Sequence, residues 1–397
     1  MATLETIRQE ITSLDGELLT LLARRKALSI EVARSKQTDL RPIRDQAREQ
    51  ELLERLIQQG KPLGLSAHYI NQLYHLIIED SVLSQQAYIQ GQLNAEQQGD
   101  LISIAFLGPR GSYSSLAARK YLSHQTAQVV EASCSNFQQV IETVESGKVQ
   151  YGVLPIENTS SGSINEVYDL MQHTSLAIVG ELTLPIEHCL LAAVETRVEE
   201  IQTIYAHPQP LQQCSQYLAK LQGVRHEYCD SSSAAMGQVK NLASPHAAAL
   251  GSAAGGELFG LHPIAAGLAN QTDNITRFII VARKAIDVAP QIPAKTTLIM
   301  STAQKAGSLV EALLVLRNHN INMTKLESRP IQGNPWEEMF YMDVAGNVSE
   351  PAMQAVLKEL YQLTRSLKVL GCYPSEDVLP TELPDYLVSG SHVTPQA

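Results

Sequence analysis

The first 93 residues carry apolar side chains at helical spacing and contain no convincing strand. From Leu4 to Ser35, leucine, isoleucine and valine recur at helical spacing, which predicts a helix of about 32 residues and ~48 Å. Capping and breaking signals predict a second helix over Arg44–Gln59 and a third after Ser66, to about Gln90. Since so short a segment cannot bury three long apolar faces alone, we predict an all-α domain over residues 1–93 that shares its core with a second copy.

Beyond the polar linker Asn94–Asp100, the pattern changes to short apolar runs that alternate with amphipathic segments such as Ser135–Glu145. This alternation is typical of an α/β domain with a largely parallel sheet. A length of about 185 residues, from 103 to 285, suits two lobes with a cleft between them. The predicted strands are Ser103–Leu107, Tyr151–Ile156, Ala177–Val179, Cys189–Val194 and Phe278–Ala282.

A second linker, Asp287–Ala294, precedes a region with another order of elements. The patterns of residues 295–375 predict strand, helix, strand, strand, helix, strand, which is the ferredoxin-like α+β plan. The predicted elements are Thr296–Ser301, Ser308–His319, Ile321–Ser328, Met339–Val344, Glu350–Leu367 and Lys368–Cys372. The proline-rich residues 376–397 are predicted to form a loose tail.

Charge is unevenly distributed along this acidic chain. The net charge is −11, yet residues 1–61 hold 11 of the 30 Lys and Arg and 10 of the 41 Asp and Glu, a net of +1, which leaves 19 against 31, or −12, for the remainder. The basic side chains of the helical segment either hold a small anion or form solvated helix faces. The overall balance argues against nucleic-acid binding.

The sequence also bears on the cellular compartment. It has neither a basic and then apolar signal at its start nor an apolar run long enough for a transmembrane helix. The five cysteines are odd in number and widely spread, without a C-x-x-C pair. Because this usage is typical of reduced thiols, we predict a cytoplasmic protein without a zinc site.

Several polar residues of the helical segment fall on shared helix faces. Arg25 and Lys36 are 11 positions apart in the sequence. At 100° per residue they return to within ~20° of each other, whereas Arg8 lies about 100° round the helix and is expected to face a partner chain's pocket. Spacings of three or four residues place further groups together: Asp45 with Arg48 and Glu49, and Ser81 with Gln85. Taken singly, each group is an ordinary surface pair.

Together these positions, in the stretches ARRKALSIEVARSK, RPIRDQARE and IIEDSVLSQQ, are similar to the all-helical chorismate mutase class. The residues implied for substrate binding are Arg8 of the other subunit, Arg25, Asp45, Arg48 and Ser81, and those implied for catalysis are Lys36, Glu49 and Gln85. Arginine forks suit the two carboxylates of chorismate, and donors stabilise charge on the ether oxygen that breaks. Glu49 must be protonated if it donates to that oxygen.

Two turns rich in glycine or serine follow predicted strands of the α/β region, at 106–114 and 157–163. Taken alone, each is either an anion site at a helix N-terminus or a plain strand–helix connection. Together with the His207-Pro208-Gln209-Pro210 run and Thr276-Arg277-Phe278, they resemble the prephenate dehydratase family over about Ile104–Arg283. The resemblance implies a two-lobed fold similar to periplasmic ligand-binding proteins, with the site in the cleft.

The same resemblance assigns roles to individual residues. Thr276 is the implied catalytic residue, which donates or relays a proton to the departing hydroxyl of prephenate while CO₂ leaves. The residues implied for substrate binding are Glu157, Asn158, Ser161, Gln213 and Arg277, the last as a carboxylate partner. His207, which precedes Pro208, is interpreted as structural in preference to a catalytic base.

Two motifs of the C-terminal region resemble the phenylalanine-site motifs of the ACT regulatory domain of dehydratases. They are Gly307-Ser308-Leu309-Val310 at a predicted helix start and Glu327-Ser328-Arg329-Pro330 at a predicted strand end. The resemblance implies an allosteric phenylalanine site at a dimer interface, where helix N–H groups bind the carboxylate. Trp336 is close to this site in sequence. The alternative is a purely structural ferredoxin-like domain.

The three modules together predict a bifunctional enzyme. It rearranges chorismate to prephenate and converts prephenate to phenylpyruvate, under feedback by phenylalanine. It is expected to work without cofactor or metal, as a homodimer or higher homo-oligomer, with no nucleic-acid or membrane partner. Two alternatives stay open: arogenate as the dehydratase substrate, and a non-catalytic amino-acid sensor.

Overall fold

The computed structural model describes residues 3–39, 41–94, 99, 101–123, 125, 127–271, 273–331 and 337–376. The predicted tail beyond Glu376, most of the predicted linker at 94–100 and Trp336 lie outside the described residues. The chain divides into two compact units. One comprises residues 1–97 with 287–293, and the other comprises residues 98–286 with 294–376.

The first unit consists of three helices, as predicted: α1 (Leu4–Asp39), α2 (Gln46–Gly60) and α3 (Ala67–Leu93). Ser66 is the N-cap of α3, since its side chain accepts a hydrogen bond from the Tyr69 amide. Helix α2 begins two residues later than predicted because Asp45 is extended and caps it by accepting from the Arg48 amide. A left-handed glycine, Gly64, helps turn the chain between α2 and α3.

The three helices leave much apolar surface uncovered. Leu53 of α2 is fully buried, but Leu14 of α1 is 58% exposed and Leu21 is 62% exposed. Exposed apolar residues recur every three or four positions from Leu4 to Leu21 and again at Leu28 and Val32; the full set is Leu4, Ile7, Ile11, Leu14, Leu18, Leu19, Leu21, Leu28 and Val32. No helix among the described residues combines the length and apolar character needed to cross a membrane.

The second unit begins with a six-stranded sheet. Its strands are β1 (Leu101–Leu107), β2 (Gln128–Cys134), β3 (Tyr151–Asn158), β4 (Gly162–Ser163), β5 (Ala177–Pro185) and β11 (Ile275–Ala282). The spatial order is β2-β1-β3-β11-β5, with β4 paired to β3. The helices of this part are α4 (Tyr113–Leu122), α5 (Phe137–Glu145) and α6 (Asn165–His173).

A five-stranded sheet follows along the chain before the return to β11. Its strands are β6 (Cys189–Ala192), β7 (Thr203–Ala206), β8 (Arg225–Tyr228), β9 (Ala247–Gly251) and β10 (His262–Ala265), in the order β10-β6-β9-β7-β8. Its helices are α7 (Pro208–Gln213), α8 (Ser215–Leu218), α9 (Ser232–Leu242) and α10 (Ala253–Phe259). The chain crosses between the two sheets twice, after Pro185 and before Ile275, so the predicted two lobes are present.

The expectation of a largely parallel sheet is wrong, because both sheets are mixed. β1 pairs in parallel with β2 and β3, and β7 pairs in parallel with β8 and β9. β11, in contrast, is antiparallel to both β3 and β5. The physical reason is the connection: β11 enters the first sheet on its return from the second, instead of through a helical crossover within one sheet.

The C-terminal part of the second unit has the predicted βαββαβ order. Its elements are β12 (Ala294–Thr302), α11 (Ser308–Asn318), β13 (Met323–Pro330), β14 (Glu338–Ala345), α12 (Pro351–Leu363) and β15 (Thr364–Pro374). They form an antiparallel sheet in the order β13-β14-β12-β15, which is the ferredoxin-like arrangement. Residues 364–367, predicted as helix, are strand instead, because β15 pairs with β12 from Thr364 onward.

The first sheet and the C-terminal sheet share one apolar core. Ile178 of β5 and Met171 of α6 belong to the same buried cluster as Leu370 and Tyr373 of β15. The closest approach is at Gly371, where an added Cβ would lie 2.0 Å from the carbonyl oxygen of Ile178. Glycine is therefore required for the backbones of β5 and β15 to meet.

We predict that Gly371→Ala destabilises the second unit by about 2 kcal/mol or more, because the new methyl group meets backbone that cannot move aside cheaply. Scanning calorimetry of the full chain measures the loss as a lower unfolding temperature. Gly346→Ala is the matched control, since its Cβ would meet nothing closer than Met353 Sδ at 3.6 Å. Equal unfolding temperatures for the two variants would contradict the prediction.

Candidate functional site

A cavity of about 850 Å³ lies where elements of both sheets of the second unit meet. The first sheet contributes the ends of β1, β2, β3 and β11, and the second contributes the segments around His207, Gln213 and Ser231. The site residues that the sequence predicted and that line this cavity are Asn158, Ser161, Gln213 and Thr276. This volume is within the range of small-molecule sites.

Two helices of the cavity present their N-termini through serine caps. Ser112 caps α4 by accepting from the Ser115 amide, and Ser231 caps α9 by accepting from the Ala234 amide. Gly108 and Gly111 have positive φ, which shapes the turn before α4. Helix N-termini favour negative charge, so this cavity suits a carboxylate-bearing ligand. The turn before α4 is among those expected from the sequence, whereas the serine run at 231–233 is not.

Asn158 and Thr276 form a hydrogen-bonded pair in this cavity. Asn158 Nδ2 donates to Thr276 Oγ1 at 2.9 Å and to Asn274 Oδ1 at 2.7 Å. Its Oδ1 accepts from the amides of Ser160 and Ser161, both at 2.9 Å, and from Ser161 Oγ at 3.0 Å. One buried amide side chain thus holds both the threonine hydroxyl and the turn that follows β3.

A histidine that the sequence analysis did not single out lies beside this pair. His188 Nε2 lies 2.8 Å from Gln213 Oε1, and its Nδ1 lies 3.1 Å from the Tyr113 hydroxyl. Because Gln213 Oε1 can only accept, Nε2 carries the proton and Nδ1 is an acceptor. The single proton of the Tyr113 hydroxyl has two acceptors within reach, Nδ1 and the Glu187 carbonyl oxygen, both at 3.1 Å. Burial lowers the pKa of His188, and the hydrogen bond to Gln213 opposes this in part. The available sequence signal was its position directly before β6, where the chain crosses from the first sheet to the second.

Two predicted substrate contacts, Arg277 and Glu157, need correction. Neither lines the cavity, since each lies next to a cavity residue on its strand and points to the opposite face. The Arg277 guanidinium instead forms ion pairs with Glu181 and Asp343, and the Glu157 carboxylate pairs with Lys325. His207 lines the cavity and caps α7 by accepting from the Gln209 amide, which agrees with its structural interpretation.

The polar residues predicted for the helical unit lie at two contacts, one between α1 and α3 and one between α1 and the segment that leads into α2. Arg25 Nη1 donates to Ser81 Oγ at 2.5 Å and to the Ile77 carbonyl at 3.2 Å. Lys36 Nζ donates to the Ile43 carbonyl. Burial lowers the pKa of both Arg25 and Lys36, while Asp45 and Glu49 raise that of Lys36 and Arg48 lowers it.

The remaining helical positions differ in how they are held. Glu49 Oε2 lies 3.1 Å from Arg44 Nε, so the carboxylate has a cationic partner in this structure. Gln85 is buried, and its Oε1 has no hydrogen-bond partner among the described residues. Arg8 is exposed on α1. Arg25 thus lies against Ser81 of α3, and Lys36 lies close to Asp45, Arg48 and Glu49 at the start of α2.

The two C-terminal motifs occupy a helix start and a strand, as predicted. Gly307, with φ of 85°, is the N-cap of α11, and no side chain caps this helix. Leu309 packs against the core of the C-terminal part, whereas Val310 is exposed. The second motif, Glu327, Ser328, Arg329 and Pro330, ends β13. Glu327 Oε2 accepts from Ser163 Oγ at 2.7 Å, and Arg329 pairs with Asp169 at 2.9 Å.

The described residues contain no group of three or more His, Cys, Asp or Glu side chains arranged to hold a metal ion. All five cysteines are free thiols, and Cys134 lines the cavity. The groups that line the cavity are therefore hydroxyls, amides, helix N-termini, the Cys134 thiol, the Asp230 carboxylate and the imidazoles of His188 and His207.

Comparison with known proteins agrees with the division of the chain into a helical region and a two-lobed region. The chorismate mutase type II family model matches residues 7–86, and the prephenate dehydratase family model matches residues 104–286. The bifunctional chorismate mutase/prephenate dehydratase of Enterobacter agglomerans is 58% identical over 95% of this chain and 97% of its own length. That of Escherichia coli strain K12 is 57% identical, with the same coverage.

A solved structure agrees in fold. The prephenate dehydratase of Arthrobacter aurescens, in complex with L-Phe, superposes with a TM-score of 0.62 and 24% identity, over 72% of this chain and 94% of that chain. Helical mutase and two-lobed dehydratase regions in one polypeptide define a two-activity enzyme. The chain belongs to the family of bifunctional chorismate mutase/prephenate dehydratases and carries both activities.

We predict that His188 stays neutral down to a pH below its ordinary pKa of 6.5, because burial disfavours the charged ring. As pH falls, the unfolded chain binds this proton first, so the second unit loses stability below about pH 6.5. An NMR titration of the imidazole, assigned with His188→Asn, measures the midpoint. A midpoint at or above the ordinary value would contradict the prediction.

Proposed function

We propose that the helical unit catalyses the mutase reaction with Lys36, Glu49 and Gln85, and binds chorismate with Arg8, Arg25, Asp45, Arg48 and Ser81. Support comes from the contact of Arg25 with Ser81, from the partly buried Lys36 beside Asp45, Arg48 and Glu49, and from the buried Gln85 Oε1, which has no hydrogen-bond partner among the described residues. A rearrangement needs no nucleophile, so positioning and electrostatic stabilisation supply the acceleration. For Glu49 to donate to the ether oxygen, substrate binding must displace Arg44 and leave the carboxyl protonated.

We further propose that the mutase site is completed by a second copy of the chain. The exposed apolar row of α1 supports this, since leucine and isoleucine at spacings of three and four residues form the kind of seam that a second helix covers. Arg8 stands on this exposed helix, away from Arg25. In the dimer, Arg8 of each subunit binds a carboxylate in the other subunit's pocket.

For the dehydratase we propose Thr276 as the catalytic residue, with Asn158, Ser161 and Gln213 as substrate neighbours. The single observation that carries this assignment is the hydrogen bond from Asn158 Nδ2 to Thr276 Oγ1 inside the cavity. Because Asn158 donates, the threonine oxygen accepts and its own proton stays free to be donated. That proton assists departure of the ring hydroxyl, while the apolar wall formed by Phe137, Ile164 and Phe278 favours loss of CO₂.

We propose that the C-terminal part is an ACT domain that senses phenylalanine. The βαββαβ order, the uncapped N-terminus of α11 after Gly307 and the acidic Glu327 support a site for an amino acid. The A. aurescens dehydratase, of similar fold, was solved in complex with L-Phe. Regulation requires that phenylalanine bind one conformation of the enzyme better than another.

The proposed domain boundaries are residues 1–93, 103–285 and 295–375, in a cytoplasmic homo-oligomer. Two of these domains, the dehydratase and the ACT domain, lie in one compact unit and share a core. We favour prephenate over arogenate as substrate because the matched family model is that of prephenate dehydratase.

We predict that Thr276→Ala abolishes formation of phenylpyruvate but leaves the loss of chorismate unchanged, since the two sites lie in different units. A two-step spectroscopic assay, with and without phenylalanine, measures both steps; in the wild-type enzyme phenylalanine lowers the second. Thr276→Ser keeps the hydroxyl and is expected to retain activity.

Dehydratase turnover by Thr276→Ala at the wild-type rate would remove this residue from the mechanism. Accumulation of prephenate by the wild-type enzyme would point to arogenate as the next substrate to test. A chain that leaves chorismate untouched would contradict the helical site.

We predict that Arg8→Ala and Arg25→Ala chains are each inactive as mutases but regain activity when mixed and allowed to exchange subunits. Half of the dimers are then mixed, and one of their two sites has both arginines, so about one quarter of the wild-type activity returns. Mixing either variant with itself is the control. No recovery after proven exchange would place both arginines in one subunit's site.

A further inference from the structure

The strands that carry Asn158 and Thr276 present a second pair of residues on their opposite face. Thr276 is opposite Asn158 in the pairing of β11 with β3, and the next pair is Arg277 opposite Glu157. Successive residues of a strand point to opposite faces, so the first pair lines the cavity and the second points away from it. Whatever holds Glu157 and Arg277 therefore lies directly behind the cavity pair.

Both residues of the second pair are held by the C-terminal sheet. Arg277 Nη1 lies 2.5 Å from Asp343 Oδ2 on β14, and Glu157 Oε1 lies 2.8 Å from Lys325 Nζ on β13. Lys325 and Asp343 are in turn opposite each other in the pairing of β13 with β14. We call these four residues, Glu157, Arg277, Lys325 and Asp343, the charge clamp: two cross-strand pairs joined by two ion pairs of opposite polarity.

Of the two ion pairs in the charge clamp, the one between Arg277 and Asp343 is largely buried. The side chains of Asp343 and Arg277 are 7% and 15% exposed. Arg277 also pairs with Glu181 at 2.7 Å, and Asp343 Oδ1 accepts from Thr297 Oγ1 at 2.7 Å. Because these buried charges are fully engaged, removal of one partner leaves another uncompensated at high cost. Separation of the two sheets at this point is therefore strongly opposed.

The clamp also acts at an irregular point of the strand pairing. The register shifts between Arg277, opposite Glu157, and Phe278, opposite Pro155, so that β3 has one extra residue there. Such bulges change the direction of nearby side chains and interrupt the regular hydrogen bonds of the sheet. At this bulge the Asn158–Thr276 hydrogen bond and the ion pairs of Glu157 and Arg277 add to the backbone pairing that sets Thr276 opposite Asn158.

We propose that the charge clamp positions the Asn158–Thr276 pair for dehydration, so that the C-terminal sheet sets the dehydratase rate through Lys325 and Asp343. The inference rests on the proposed roles of Asn158 and Thr276. It makes Glu157 and Arg277 positioning residues that act from behind the site. Glu327 belongs to the phenylalanine motif and lies two residues from Lys325 in β13. It accepts a hydrogen bond from Ser163 of β4, and Ser163 is opposite Glu157 in the pairing of β4 with β3. A shift of β13 is thereby transmitted to the catalytic strands.

The experiment compares Lys325→Met, Glu157→Gln and the double variant in the full chain. Each single variant is expected to lower dehydratase kcat about tenfold, with KM for prephenate within about threefold, because catalysis is impaired more than binding. The double variant is expected to match the single ones, since all three lack the same contact. Mutase activity in the other unit serves as the internal control.

Asp169→Asn is the matched variant. Asp169 pairs with Arg329 at 2.9 Å and so joins α6 to β13, but it does not back the catalytic strands. Its dehydratase kcat is expected to stay at the wild-type value.

Two further variants test the ion pairs themselves. Lys325→Arg keeps the ion pair with Glu157 and is expected to retain activity, and Asp343→Asn tests the ion pair with Arg277 independently. Calorimetry verifies that each variant unfolds cooperatively.

The proposal would be overturned if Lys325→Met and Asp343→Asn kept kcat within about twofold of wild type, or if the losses in the single variants multiplied in the double variant. A loss in Lys325→Arg equal to that in Lys325→Met would also contradict it. Failure of the proposed catalytic pair is distinguishable, because Thr276→Ala would then stay active whatever the clamp variants do.

Discussion

The insertion of β11 between β3 and β5 is the interaction on which the rest of the second unit depends. β11 is the strand that returns from the second sheet, and its antiparallel pairing with β3 and β5 joins β5 to the rest of the first sheet. This pairing sets Thr276 opposite Asn158 on the cavity side and Arg277 opposite Glu157 on the other side. Because side chains alternate along a strand, one face of β11 contributes Thr276 to the cavity and the other face contributes Arg277 to the contacts with the C-terminal sheet.

Features governed by local sequence could be predicted. Ser66 was recognised as a cap, because capping depends on a few neighbouring residues. The helical spacing along α1 and the ferredoxin-like order after Ala294 were also readable, since periodicity reports which face is buried. Asn158 and Thr276 were found through a family resemblance, and the cavity contains both.

Features governed by distant pairing could not be predicted. The interpretation of Arg277 as a carboxylate partner was chemically reasonable, but its actual partner Asp343 lies 66 positions further along the chain. His188 showed no motif, because its role comes from Tyr113 and Gln213, which only the fold brings beside it. The same cause explains residues 364–367: an apolar helical spacing gave way to strand pairing with β12.

The two units differ in how much of their apolar surface is covered within the chain, and this difference determines how each activity is expected to depend on assembly. The second unit covers its first sheet internally, with the C-terminal sheet and Tyr373 in a shared core. The helical unit leaves a continuous apolar row on α1 uncovered. Burial of such a row yields roughly 25 cal/mol for each Å² removed from water, and the second copy proposed above would supply that cover. Dissociation is therefore expected to affect the mutase first, since its pocket includes the helix that loses its cover.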